Sequence, residues 1–201
     1  TSSGNINVTT TALLKTVTAL SKQFGFPTLF DMETLVTTTK LTEQVGISAE
    51  SAGMLAAATV TTGKNFEDQY KDALGTSYEL QRQSGVQLDL RNILEESGKV
   101  TGTIRANLGS NVESIAAAVT QAKLFGGSLD DVANASKALL DFESSITAEL
   151  EAELLLGKNI NLETARQASL NGDMVTVAKE LRKEAGDYTE FSKMNVIQQE
   201  A

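Results

Sequence analysis

Along this chain the apolar positions recur three and four residues apart, in stretches that glycines bring to a stop. That is the period of a helix rather than of a strand. Leu13, Leu14, Val17 and Leu20 predict a first helix that starts near Thr9 to Thr11 and ends at Gly25, with Phe26 and Pro27 turning the chain. Pro27 is the single proline, so long stretches are free to be helical. A second helix runs from about Asp31 to Val45 and stops at Gly46, its propensity weakened by the β-branched run Thr37-Thr38-Thr39. Ser48 caps a third, Ala49 to Thr62, which Gly63 closes. A fourth begins near Phe66, carries Phe66, Tyr70, Leu74 and Tyr78 at four-residue spacing, and ends at Gly85, with Gly75 a weak point inside it.

Asp89 starts a short helix through Glu96, followed by Gly98. Residues 99–110 have no clear period and admit one further short helix around Ile104 to Leu108. Val112 to Phe125 is Ala-rich and stops at Gly126-Gly127. Ser128 then caps the strongest pattern in the chain, with Asp130 and Asp131 at the positive end of the helix dipole. Leu129, Val132, Ser136, Leu139, Phe142, Ile146 and Leu150 form a narrow seam of about 3.5-residue step, suited to packing along another helix. Unbroken to Leu156, with Gly157 as its stop, that helix would be roughly 40 Å long. Shorter helices capped by Asn161, Asp173 and Thr189 come next, Gly172 and Gly186 closing the first two, and another starts at Asn195.

The expected fold class is therefore all-α: an array or bundle of about nine to ten mostly short helices with one long helix near 129–156. Two halves are expected, 1–98 and 99–201, or one continuous helical domain. Gly46-Ile-Ser-Ala-Glu-Ser-Ala and Gly126-Gly-Ser-Leu-Asp-Asp-Val echo each other, and Gly157 to Ala165 does so more loosely. A glycine stop followed by a Ser or Asn start accounts for this, a degenerate helical-hairpin repeat being the alternative.

Composition narrows the chemistry. Of the 201 residues 41% are hydrophobic but only 5% aromatic, with no Trp, which suits helices packed through small and aliphatic side chains. The net charge of -9 argues against specific nucleic-acid binding, which needs clustered cations. The densest cationic group, Lys179, Arg182 and Lys183, is interleaved with Glu180 and Glu184 at helix-pairing spacing. Cys is absent, which removes disulfides and thiolate ligands; His is absent too, and with it the commonest general base and transition-metal ligand. No apolar run has the length of a membrane span. The start at Thr-Ser-Ser-Gly, without an initiator Met, and the stop at Gln198-Gln199-Glu200-Ala201 suggest a segment of a longer chain.

No catalytic, cofactor-binding or metal-binding residue can be nominated. Gly-Lys occurs at Gly63-Lys64, Gly98-Lys99 and Gly157-Lys158, but a phosphate loop needs a glycine five residues earlier and Ser or Thr after the lysine. Those places hold Ala58, Ile93 and Ala152, then Asn65, Val100 and Asn159. The structural reading is a left-handed glycine at a helix C-terminus with a cation beside it. Glu143, Glu149, Glu151 and Glu153, and Glu95-Glu96, read as solvated faces, although Glu149 and Glu153 share a side on which a hard cation would fit. A Ser-His-Asp triad is impossible without His, and Ser-x-x-Lys does not occur. The stripe of Phe66, Tyr70 and Tyr78 reads as core.

The run from Asn161-Leu-Glu-Thr-Ala-Arg-Gln-Ala-Ser-Leu-Asn-Gly-Asp-Met-Val-Thr-Val-Ala-Lys-Glu-Leu through Glu184-Ala-Gly-Asp-Tyr-Thr-Glu-Phe to Met194-Asn-Val-Ile-Gln-Gln-Glu-Ala resembles a segment of the large tail tape measure proteins of contractile-tailed phages. Gly46-Ile-Ser-Ala-Glu-Ser-Ala, ahead of its Ala- and Thr-rich helix, is similar to other elements there. The resemblance covers residues 40 to 201. It implies a virion protein of the tail lumen, assembled in the host cytoplasm, that takes part in tail assembly and tail-length determination, self-associates, meets tail tube and tail-tip or baseplate proteins, and is not an enzyme. The glycine breaks, every 15 to 25 residues, depart from an uninterrupted ruler and point to a folded helical module within such a protein. A stand-alone helical interaction module or adaptor is the alternative from another class, and a lytic or peptidase-like enzyme a third.

Overall fold

The computed structural model describes residues 8–24, 31–109 and 111–186. The expected turn at Phe26-Pro27, the cap at Thr189 and the helix from Asn195 lie outside them. Among the described residues there are eleven α-helices, one π-helical turn and no strand, so the fold is all-α.

The chain opens with α1 (Thr10–Phe24), at whose start the Ala12 amide donates to the Thr9 hydroxyl at 3.2 Å. Helix α2 (Met32–Lys40) is capped by Asp31, whose carboxylate accepts from the Thr34 amide at 2.7 Å, and it runs on into a π turn, Leu41–Val45, ending at Gly46 with φ 80°. The threonine run explains that turn. Thr38 and Thr39 donate their hydroxyls to the carbonyls of Thr34 and Leu35, both at 2.7 Å, and Thr42 donates to Thr39 at 3.0 Å. Such back-bonding bends a helix, here into a wider turn. The threonines do not break the helix; Thr37, Thr38 and Thr39 are buried, and Thr39 meets Thr16 of α1 hydroxyl to hydroxyl at 2.9 Å.

Next come α3 (Ala49–Thr62), α4 (Phe66–Ser84), α5 (Leu90–Lys99), α6 (Gly102–Asn107) and α7 (Val112–Phe125). Helices α8 (Leu129–Leu139), α9 (Phe142–Leu156), α10 (Glu163–Leu170) and α11 (Met174–Ala185) complete the order. The chain forms two units, one of Thr1–Glu79 with Gln87–Ala116, the other of Leu80–Val86 with Ala117–Ala201. The boundary expected after residue 98 falls inside the first unit, because α5 packs on α3 and Arg105 of α6 binds carbonyls at the end of α5.

In the first unit α3 packs on α1, α2 and α5 around Leu20, Leu41, Leu55, Ile93 and Leu94. In the second, α8 packs on α9, α10 and α11 around Val132, Leu139, Ala165 and Val177.

The long helix expected over 129–156 is corrected: it is α8 and α9, broken at Leu140 and Asp141. Both amides close short i to i−3 bonds, to Lys137 and Ala138 at 3.2 and 3.1 Å. Asp141 then caps α9, accepting from the Ser144 amide at 3.3 Å and the Ser144 hydroxyl at 2.8 Å. An aspartate with a serine three residues on starts a helix better than it continues one. The break also divides the seam. Leu129, Val132, Ser136 and Leu139 are buried, whereas Phe142, Ile146 and Leu150 are exposed.

Candidate functional site

Two of the three Gly-Lys pairs lie as expected. Gly63 and Gly157 adopt left-handed backbone, each with φ 65°, just past α3 and α9. Gly98 does not, and its reading is corrected. It is helical within α5, and a Cβ built there would stand 2.4 Å from both Cα and Cβ of Ser51 on α3. This glycine exists for close approach of two helices, not for a turn.

Around that contact the polar groups interlock. The Ser48 hydroxyl accepts from the Ser51 amide at 3.1 Å, capping α3, while the Ser48 amide donates to the Glu95 carboxylate at 2.7 Å. Ser51 donates to the Glu95 carbonyl at 3.0 Å, and Lys99 pairs with the Glu95 carboxylate at 3.0 Å. Burial raises the Glu95 pKa, but the Ser48 amide and the Lys99 ammonium outweigh it and bring the carboxyl down to about 2. Arg105 is buried and donates to the carbonyls of Ser97, Gly98 and Val100 at 3.3 to 3.4 Å, which closes the negative end of α5. Burial lowers its pKa. These groups act on one another, although the Arg105 Nε is buried without a hydrogen-bond partner.

The carboxylates of α9 separate into two pairs. Glu143 and Glu151 are exposed. Glu149 instead pairs with buried Arg166 of α10, which also donates to the hydroxyl and carbonyl of Ser145 at 3.0 and 3.2 Å, and Glu153 accepts from the Ile160 amide at 2.8 Å. Half of the supposed solvated face thus ties α9 to α10 and to the loop that joins them. Among the described residues no group of three or more acidic side chains is placed to hold a metal ion. The Lys183 ammonium pairs with Glu180 at 3.3 Å, as the three-residue spacing predicts, and also with its chain neighbour Glu184 at 3.2 Å, which that spacing does not predict.

The aromatic stripe of α4 runs from core to solvent. Phe66 is buried, Tyr70 half-buried and Tyr78 64% exposed, so the expectation of a core stripe fails at its far end. Tyr70 lines a small cleft of about 160 Å³ between the α2 side and the α4 side of the first unit. Thr37, Lys40, Leu41, Gln44 and Val45 line it from α2 and the π turn. Glu67 and Lys71 join Tyr70 on the opposite wall.

One further surface stands out. Phe142, Ile146, Leu150 and Leu154 succeed one another at four-residue spacing along α9, all exposed, Leu154 at 84%. Four glutamates and no base lie on the same helix. The sequence pattern marks Phe142, Ile146 and Leu150 as a packing seam but not as an uncovered face, and it does not mark the buried arginines. The only trace of Arg166 is its place beside Leu162, Ala165 and Ser169 on a small, apolar helix face, where a lone cation must find a partner. No described helix is long and apolar enough to cross a membrane. Comparison with known family models, with curated proteins and with solved structures finds no match.

Proposed function

We propose that this chain is a structural helical module of a phage tail tape measure protein, acting in tail assembly by packing its helices against other tail components rather than by catalysis. The observation that carries the reading is the uncovered face of α9. Four large apolar side chains at helical spacing, with Glu143 and Glu151 exposed on the same helix, form the unpaired side of a helix–helix contact. The resemblance of residues 40 to 201 and the wholly helical fold support it.

The occupant proposed for that face is α1 of a second copy. Helix α1 carries Lys15 and Lys22 and no acidic residue, and its Leu14 and Val17 are exposed. Charge favours this pairing over α9 against α9, which brings glutamates together. Burying the exposed half of four such side chains yields roughly 3 to 6 kcal/mol. Association costs about 4 to 15 kcal/mol. One contact is therefore weak, and many copies confined in a tail tube would strengthen it.

The described helices are short, the longest having 19 residues. That suits a folded module of the tape measure better than a stretch of its straight ruler. In-frame deletion of the segment from its parent gene, with tails measured by electron microscopy, tests both halves of the proposal. The expected result is tails of normal length that fail in assembly or infection. Tails shorter by up to about 300 Å, the straight-helix contour, would make it part of the ruler and overturn the folded-module half. Normal, infectious particles would overturn the tail reading altogether, and a stable monomer besides would favour the adaptor.

A further inference from the structure

Helix α9 turns small and polar side chains inward and large apolar ones outward, the reverse of what hydrophobic burial favours. Only Ser145 and Ala152 of this helix are buried, while exposure climbs from 41% at Phe142 through Ile146 and Leu150 to 84% at Leu154. That climb follows from helical geometry. Successive residues sit about 100° apart around the axis, so a four-residue row turns by about 40° at each step and winds away from the inner face. The centre of the apolar row lies about 110° from the centre of Ser145, Glu149 and Ala152, roughly a third of a turn. A roll of that size would carry the apolar row inward and the polar one into water.

What opposes the roll is Arg166 of α10. It is buried, and its donors are directed at α9: Nε donates to the Ser145 hydroxyl at 3.0 Å, and Nη2 to the Ser145 carbonyl at 3.2 Å and to the Glu149 carboxylate. Its other acidic neighbour, Glu163 on its own helix, stands 3.8 Å from Nη1. Ser145 and Glu149 are one helical turn apart, and a planar guanidinium that grips both fixes the direction in which that side of α9 points. Rolling α9 would strip a buried cation of its main partner, a defect that folds tolerate poorly. A buried ion pair adds little net stability over apolar packing, and its best attested use is to select one arrangement among several.

We propose that Arg166, acting through Ser145 and Glu149, is a positioning residue that fixes the rotation of α9 about its own axis and so holds Phe142, Ile146, Leu150 and Leu154 outward. This rests on the reading of that row as the open side of a contact with α1 of a second copy, but the rotation itself is measurable in a single chain.

The chain has no cysteine, so single thiols report the rotation. Leu150→Cys places one on the outer row and Ala152→Cys one on the inner face, and each chain is reacted in dilute solution with a water-soluble maleimide. With Arg166 in place the Leu150→Cys chain is expected to react at least about tenfold faster. Both probes are then combined with Arg166→Met and Glu149→Leu together, which leaves neither charge buried alone. These chains are expected to melt cooperatively at a temperature close to or above that of the parent, with the rate ratio falling to about one or inverting. Arg166→Lys keeps the charge but not the fork, and an intermediate ratio is expected. A ratio still near tenfold in the folded double variant would overturn the proposal. Should that variant not fold, an unchanged ratio in the Arg166→Lys chain would overturn it equally. Light scattering separates the two readings: a lost ratio in a chain whose parent never associates upholds the positioning role and overturns the contact between copies, and an undiminished ratio with association intact does the reverse.

Discussion

The α3–α5 contact and the outer face of α9 are opposite solutions for a helix surface. At the first, backbones approach so closely that only glycine fits at position 98, and serine hydroxyls with one carboxylate tie the two helices together. At the second, Phe142, Ile146, Leu150 and Leu154 face outward with no described helix over them. Both stretches are rich in small and aliphatic residues, so composition does not separate them. What separates them is whether the chain supplies a partner at the right distance. A closed contact is dense in hydrogen bonds made within it, while an open one keeps large side chains at helical spacing and leaves its glutamates in water.

The sharpest way to break the comparison is Gly98→Ala. The added methyl has Ser51 backbone at 2.4 Å, so α3 and α5 must separate, and the expected loss is about 3 kcal/mol, at the upper end for overpacking. Urea unfolding of the variant would show it, and a loss below about 1 kcal/mol would mean that the contact is looser than described. Acid tests the same contact with a smaller effect. The folded-state pKa of Glu95 lies at about 2, below its ordinary value of 4.5, so the folded chain holds this proton less tightly than the unfolded one. Its contribution to stability is fully present above about pH 4.5 and is lost as pH falls toward 2. Glu95→Gln should flatten that part of the urea midpoint against pH.

Gly75→Ala is the counterpart of Gly98→Ala, a glycine inside a helix with nothing within 4 Å of the added methyl. Here the substitution should stabilise by about 0.5 to 1 kcal/mol, visible as a higher melting temperature. Smallest of all is Leu150→Glu on the open face, expected to change the stability of the isolated chain by less than about 0.5 kcal/mol. A large loss there would mean that α9 already has a partner within the chain.

Much of the local structure is legible in sequence. Ser128 with Asp131, Asp31 and Asp173 cap the helices their positions predict, because a short polar side chain before an apolar period has few other uses. Val112–Phe125 has the bounds its pattern gives. The failures come from contacts distant in sequence. Gly98 looks like a stop because its real neighbour, Ser51, is 47 positions away. The seam looks continuous because Phe142, Ile146 and Leu150 keep the spacing set by α8, and Asp141 shows its capping role only through Ser144. Threonines with weak helix propensity stay helical because their hydroxyls bond the preceding turn and their methyls are buried. Of the cleft, only Tyr70 stands out in the spacing, as core; the unpartnered state of Thr37 depends on packing that no spacing records.

Light scattering of the full chain over a range of concentrations, with a charge swap built in, tests most directly whether α9 is the open side of a contact between copies. The expected result is weak, concentration-dependent association that Lys15→Glu with Lys22→Glu abolishes. Mixing that variant with chains carrying Glu143→Lys and Glu151→Lys should restore it. A chain that stays monomeric at every concentration, or associates equally well with both lysines reversed, would contradict it.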